Sequence, residues 1–152
     1  MRFRVSEVKN AGRLVVETTE NPVVLFGPPP TFTYYEQPLH LSAEAVYSPA
    51  GIEISGDAQM DVAFDCARCN KRFKENFDVP FEMMGTLENA EIDADPEIKD
   101  AFLLEMPLIP VCEEGCKGLC STCGVNLNIK TCTCPATPEH LAWKKLDDIH
   151  FS

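Results

Sequence analysis

The chain has 152 residues, eight of them cysteine, and a formal net charge of −11. A chain of this length with an ordinary apolar fraction builds a core without covalent staples, so the thiols are not there to rescue a miniprotein. The acidic balance repels a phosphate backbone at long range and suits a basic protein partner. Any direct contact with RNA must come from a local basic patch.

Met1 to Glu7 is charged and leads into no apolar run of signal-peptide length, and nothing later approaches a membrane span. The expectation is a cytoplasmic protein in a reducing milieu, where cysteines stay thiols or bind metal. Up to about Glu36 the pattern is weak. Leu14-Val15-Val16 and Val23-Val24-Leu25-Phe26 read as short strands, and Gly27-Pro28-Pro29-Pro30 as a stiff polyproline-like connection. From Leu39 to Tyr47 the residues Leu39, Leu41, Ala43, Ala45 and Tyr47 alternate with mostly polar neighbours, the period of a half-buried strand. Ser48-Pro49-Ala50-Gly51 reads as a turn. Ile52 and Ile54 begin a second strand, which Gly56-Asp57 is expected to break. Met60, Val62, Phe64 and Cys66 share the face of a third, and Phe73, Phe77, Val79, Phe81 and Met83 that of a fourth. Four strands with short connections predict an antiparallel meander with one dry face.

The acidic stretch Glu88 to Asp100 is expected to start as a solvated loop. Asp95 before Pro96 predicts a helix start, with Ile98, Phe102 and Met106 on one face and Pro107 as the stop. Thr137-Pro138 predicts a second helix with Leu141, Ala142, Leu146 and Ile149 on one side.

Every cysteine belongs to a close pair: Cys66/Cys69, Cys112/Cys116, Cys120/Cys123 and Cys132/Cys134. Such pairs wrap a turn around one metal, with Zn–S near 2.3 Å, and four pairs make two closed four-thiolate sites. All-thiolate ligation with no open position is structural rather than catalytic. Cys66 extends the apolar face of its strand and Cys69 falls in the following turn, so this pair is predicted to form a zinc knuckle in a hairpin. The eight residues between Cys123 and Cys132 suit a self-contained site for the last four cysteines, leaving Cys66/Cys69 to join Cys112/Cys116 across the shorter loop. The interleaved arrangement, Cys66/Cys69 with Cys120/Cys123, stays open. Each occupied zinc site would contribute on the order of 10 kcal/mol of apparent folding energy. Each also adds about −2 to the charge, taking the chain to about −15. Disulfides, a redox-active C-x-x-C and an iron–sulfur cluster are the competing uses of the same thiols. The expected fold class is α+β: a predominantly antiparallel β-meander with two short helices and a cysteine-rich zinc-binding C-terminal segment. Residues 1–111 would form the body and 112–152 the knuckle segment and last helix, packed as one domain.

The run Phe64-Asp65-Cys66-Ala67-Arg68-Cys69 with Phe73, then Met106-Pro107-Leu108-Ile109-Pro110-Val111-Cys112, then Cys116-Lys117-Gly118-Leu119-Cys120-Ser121-Thr122-Cys123-Gly124-Val125-Asn126-Leu127-Asn128 with Cys132-Thr133-Cys134, resembles the YceD family of bacteria and plastids. The likeness runs from about Leu39 to Cys134, and its most specific part is G-L-C-x-x-C-G-x-N-L-N with the trailing C-x-C. It implies a non-enzymatic role in 23S ribosomal RNA accumulation and large ribosomal subunit assembly. It also implies that Cys66, Cys69, Cys112 and Cys116 form one site, because some relatives keep a first C-x-x-C and a later Cys/His pair without the last four cysteines.

Arg68, Lys71, Arg72 and Lys74, with Phe73 among them, form the one basic cluster and are the candidate RNA contacts. Glu88, Glu91, Asp93 and Asp95 are the candidate hold for a basic ribosomal protein, and Trp143 a candidate partner anchor. There is no H-E-x-x-H, G-x-S-x-G or phosphate-binding glycine loop, and His40, His140 and His150 are isolated. No catalysis, small-molecule substrate or membrane is expected. The expected cofactor is two zinc ions, and the expected partners are ribosomal RNA or a ribosomal protein of the large subunit. A thiol redox enzyme or sensor, and a zinc-dependent protein-interaction module unrelated to ribosomes, are the alternatives.

Overall fold

The computed structural model describes residues 1–36 and 38–134. The expected C-terminal helix, Trp143, His140 and His150 lie outside the described residues.

The meander is built on one long strand. Strands β2 (Arg13–Glu20), β4 (Leu39–Ser48), β5 (Gly51–Asp65) and β6 (Arg72–Gly85) are all antiparallel, and β4 and β6 flank β5. The short β3 (Thr33–Tyr35) pairs with the far end of β5, Val62 to Phe64, beyond the reach of β4. A second, two-stranded sheet joins β1 (Arg2–Arg4) to β7 (Glu91–Asp93).

The alternation read from the sequence is the burial pattern observed. Leu39, Leu41, Ala43 and Ala45 are buried on β4, Ile52, Ile54, Ala58, Met60, Val62 and Phe64 on β5, and Phe77, Val79 and Phe81 on β6. Tyr47 departs from it. It is exposed on the strand's last turn of the pleat, with the Lys9 ammonium 5.8 Å from its ring centre.

Gly56-Asp57 does not break β5, so the expected second and third strands are one. Gly56 sits at a core-face position between Ala43 and Phe81, where a Cβ would come within 2.2 Å of the Ser42 carbonyl oxygen. The glycine marks a close approach of two backbones, the other meaning of glycine inside a strand.

The expected strand at Val23–Phe26 is instead a short helix, α2 (Pro22–Phe26). Asn21 Oδ1 accepts from Val23 N at 3.0 Å and Pro22 occupies the first turn, a complete capping signal. A further helix, α1 (Val5–Ala11), buries Val5 and Val8. Helix α3 (Asp95–Glu105) forms as expected and ends at Met106 before Pro107, but its N-cap is Ala94, and Asp93 rather than Asp95 supplies a side-chain oxygen, to Asp95 N at 3.1 Å. Ile98 and Phe102 face the sheet, where Phe102 meets Phe26 and Phe77 at ring-centre distances of 5.2 and 5.9 Å. Glu88 lies in a turn as expected, yet Glu91 and Asp93 are in β7, ion-paired to Arg4 and Arg2 across the ladder. The acidic stretch is thus partly neutralised by the chain itself.

Candidate metal centres

The hairpin between β5 and β6 carries the first thiol pair. Cys66 follows β5 directly and Cys69 lies in the turn, both buried. The turn is closed by Cys66 N donating to Lys71 O and Asn70 N to Cys66 O, both at 2.9 Å. Asn70 adopts a left-handed backbone (φ +56°), which asparagine tolerates. Phe73, at the start of β6, packs on Phe64 beside the pair.

The chain leaving α3 returns to this turn. Ala67 N donates to Pro110 O at 2.8 Å, which brings Cys112 and Cys116 against Cys66 and Cys69. The Sγ–Sγ separations are 3.9 Å for Cys66–Cys116 and 3.7 Å for Cys69–Cys112, and all four sulfurs lie within 4.8 Å of one another. Cys120, Cys123, Cys132 and Cys134 form a second quartet under the same limit, with Cys123–Cys132 and Cys120–Cys132 both at 3.5 Å. Of the two arrangements left open by spacing, the structure has the self-contained last quartet and not the interleaved one.

These distances test what the thiols can do. A disulfide needs about 2.0 Å between sulfurs, and none of the contacts approaches it. Sulfurs about 2.3 Å from one ion at tetrahedral angles stand about 3.8 Å apart, close to the separations found. Both quartets can hold a metal ion.

The electrostatics point the same way. Burial pushes the Cys66 thiol up, but the backbone amides of Cys112, Arg68 and Cys69 and the Cys69 thiol outweigh it and bring it down to about 6. The Cys112 and Arg68 amides each reach Cys66 Sγ at 3.4 Å. Cys120 is brought down to about 6 by the amides of Cys123 and Thr122 and the Cys132 thiol. Cys112 is pushed up to about 12 by burial and by Cys66, Cys69 and Cys116, and Cys134 to about 12 by Cys132 and Cys123. Each quartet therefore has one thiol that ionises readily and one held protonated, Cys112 chiefly by burial and Cys134 chiefly by hydrogen bonding with Cys132 and Cys123. A dication relieves that conflict.

The basic cluster is largely spoken for within the chain. Arg68 Nη1 donates to Cys116 O at 3.2 Å. Arg72 Nε donates to Asp65 Oδ1 at 3.0 Å, its guanidinium lies 3.8 Å from the centre of the Tyr34 ring, and Tyr34 OH donates to Asp65 Oδ2 at 3.1 Å. The Arg72 hydrogen bond, with help from Tyr34, holds the Asp65 carboxyl below its usual range. Lys74 is ion-paired to Glu36, whereas Lys71 pairs with no carboxylate among the described residues. His40 sits on the polar side of β4 as expected, 3.2 Å from Thr19 Oγ1.

Two features escaped the sequence reading. Asn128 Nδ2 donates to Cys116 Sγ at 3.4 Å. An apolar groove of about 640 Å³ beside Cys66 is walled by Phe32, Leu103, Met106, Leu108 and Ile109 among others. A continuous Leu108-Ile109 dipeptide flanked by prolines was its available signal. No helix among the described residues is long and apolar enough to cross a membrane.

Comparison with known proteins bears on the same segment. Large ribosomal RNA subunit accumulation protein YCED homolog 1, chloroplastic, of Zea mays is 53% identical over 45 residues, covering 29% of this chain and 15% of its own. Its Arabidopsis thaliana counterpart is 43% identical over 47 residues, 31% of this chain and 15% of its own. An uncharacterized protein of Mycobacterium leprae is 24% identical over 132 residues, 74% of this chain and 59% of its own. The chain thus spans only about a seventh of the length of the two plant relatives. No solved structure matches. The family model for Large ribosomal RNA subunit accumulation protein YceD matches residues 83–150, so that part of the chain is similar to the YceD family.

Proposed function

We propose that the chain is a non-catalytic, zinc-dependent accessory factor in 23S ribosomal RNA accumulation and large-subunit assembly. One zinc ion would be held by Cys66, Cys69, Cys112 and Cys116, and a second by Cys120, Cys123, Cys132 and Cys134. The observation that carries this reading is the pair of sulfur quartets at single-ion tetrahedral spacing. Zinc is favoured over an iron–sulfur cluster because sulfurs bound to separate irons stand farther apart than sulfurs sharing one ion. A bound zinc saturated by four thiolates supplies cross-linking and charge, with no position for an activated water. The process comes from the names of the plant relatives and of the matching family.

A ribosomal protein is favoured as the immediate contact over RNA. The acidic chain attracts a basic polypeptide, and exposed Leu103, Leu108 and Ile109 line the groove at the first quartet. Contact with ribosomal RNA through Arg68, Lys71, Arg72 and Lys74 would have to break the hydrogen bonds and ion pairs that three of them make. The body, residues 1–111, and the segment from 112 would work as one domain, joined through the first ion.

Metal analysis after aerobic purification is the first test. Two zinc ions per chain, and thiols that react only after chelation, support the reading. A metal-free chain with reactive thiols would instead support the thiol redox reading, which the ready ionisation of Cys66 and Cys120 favours as its runner-up. In-cell crosslinking then separates the partners. Ribosomal proteins or 23S RNA among the crosslinks support the assembly role, and their absence leaves a zinc-dependent interaction module unrelated to ribosomes. Charge reversal of Arg68 and Arg72 that leaves RNA binding and its salt dependence unchanged would discard the basic cluster as an RNA contact.

A further inference from the structure

The second quartet does not stand alone. Leu119 N, one residue before Cys120, donates to the Arg68 carbonyl at 3.0 Å, inside the first knuckle. Gly118 lets the chain pass there: its φ is +74°, and a Cβ would stand 3.0 Å from that same carbonyl oxygen. Leu127 N donates back to Gly118 O at 2.9 Å, and Leu119 and Asn126 form a bridge, so residues 118–127 make a small hairpin tip around Cys120 and Cys123.

Asn128 emerges from this tip and points at the first quartet. Its carboxamide orientation is fixed by its partners. Oδ1 accepts from Lys117 N at 2.7 Å, and Nδ2 donates to Asn126 Oδ1 at 2.9 Å and to Cys116 Sγ at 3.4 Å. Reversing the amide would set N–H against N–H and oxygen against sulfur. Cys116 is buried, and among the hydrogen bonds of the described residues the N–H that reaches its sulfur comes from Asn128. Cys66, by contrast, receives two backbone amides from its own quartet's segments.

We infer that Asn128 couples the two metal centres: loading of the second centre fixes the loop that carries Asn128, and its N–H then stabilises the Cys116 thiolate and raises the metal affinity of the first. This rests on the zinc reading above. Asn128 lies between Cys123 and Cys132, so one ion shared by Cys120, Cys123, Cys132 and Cys134 holds both ends of its loop. An N–H donated to a metal-bound thiolate spreads the negative charge of a four-sulfur site, and loss of such an outer partner typically costs ten- to a hundredfold in metal affinity. Binding linkage is reciprocal, so the first ion strengthens the second by the same factor.

The test uses the full chain loaded with cadmium-113, whose resonances report the two centres separately under chelator competition. Asn128→Ala should lower the affinity of the first centre about tenfold, and C132S/C134S, which removes the second centre, should lower it at least as much. Combining N128A with C132S/C134S should add nothing, because both break the same link. Asn128→Asp keeps the acceptor for Lys117 N, loses the donor to sulfur and sets a carboxylate oxygen in its place, so a loop that still folds should bind the first ion no better than N128A. First-centre affinity as low as in N128A supports the coupling. Wild-type affinity in N128D or N128A, or additive losses in the combined variant, overturns it. A wild-type chain that binds fewer than two ions overturns the zinc reading itself, and the coupling with it.

Discussion

The two sulfur quartets have the same ligands and opposite settings. The first joins residues 43 apart, Cys69 to Cys112, across β6, β7 and α3, and three of its four cysteines are buried. The second joins Cys123 to Cys132, nine apart, and Cys123 is exposed. Loop length alone does not make them very different. Closing the longer loop removes only about 1.4 kcal/mol more unfolded-chain entropy than closing the shorter. The larger difference is what each ion is attached to. Cys66 continues the core face of β5 next to Phe64 and Phe73, so the first centre is an extension of the hydrophobic core. The second is a local clasp whose hydrogen bonds to the body, among the described residues, run through Leu119 N and Asn128.

Breaking the first centre should therefore have the largest effect. Cys112→Ser is expected to release one zinc and lower the thermal midpoint by more than 10 °C, with hydrogen exchange rising at the β5–β6 hairpin and in residues 107–119. Circular dichroism melts with elemental analysis read this directly. Cys132→Ser, at the second centre, should lower the midpoint by a few degrees only, with new exchange confined to residues 117–134. Equal losses from the two variants would erase the distinction between core extension and clasp.

The sheet was legible because β4 from Leu39 to Ala45 and β6 from Phe77 to Phe81 alternate over a half-buried surface, and α3 because Pro96, Ile98, Phe102 and Pro107 mark its start, face and end. Gly56 misled because its meaning lies across the sheet, in the Ser42 carbonyl, and not along the chain. Helix α2 was hidden because Val23-Val24-Leu25-Phe26 has strand composition, and the Asn21 cap with Pro22 decided the matter. Membership of close pairs was plain for all eight cysteines, but which pairs meet was not. Reaching Cys112 rather than Cys120 from Cys69 differs by about 0.15 kcal/mol of loop entropy, too little to choose. The Pro110 carbonyl that receives Ala67 N sets the choice. The pairing of Arg72 with Asp65 was within reach, since the two face each other across the hairpin. Asn128 was not, because its target lies in another quartet.

Proton competition sharpens the same comparison at smaller scale. Metal displaces protons from thiols, so affinity falls as pH falls. Cys66 and Cys120, both down at about 6, are mostly thiolates at pH 7 and thiols at pH 5. Each centre thus releases about one more proton on loading below pH 6 than above pH 7, and the plot of log affinity against pH should steepen by about one through that window at both. Chelator competition at stepped pH measures the slope. A slope that steepens at one centre only would mean that the amide donors serve the two low thiols unequally.

The smallest effect tests the contact between the centres without touching a ligand. At Gly118 a methyl group would demand a left-handed backbone from alanine and press on the Arg68 carbonyl, so Gly118→Ala should cost about 1–2 kcal/mol. Gly115, three residues earlier, has open space where its Cβ would stand and no left-handed requirement, so Gly115→Ala should lie within about 0.5 kcal/mol of the parent. The cost at Gly118 should appear in thermal melts of the zinc-loaded chain and shrink in C132S/C134S. There the clasp no longer holds residues 118–128 against the first knuckle, and the backbone can move away from Arg68. A cost that persists unchanged in that background would mean that residues 117–119 are held by the first centre alone, and that the second contributes nothing to the fit between them.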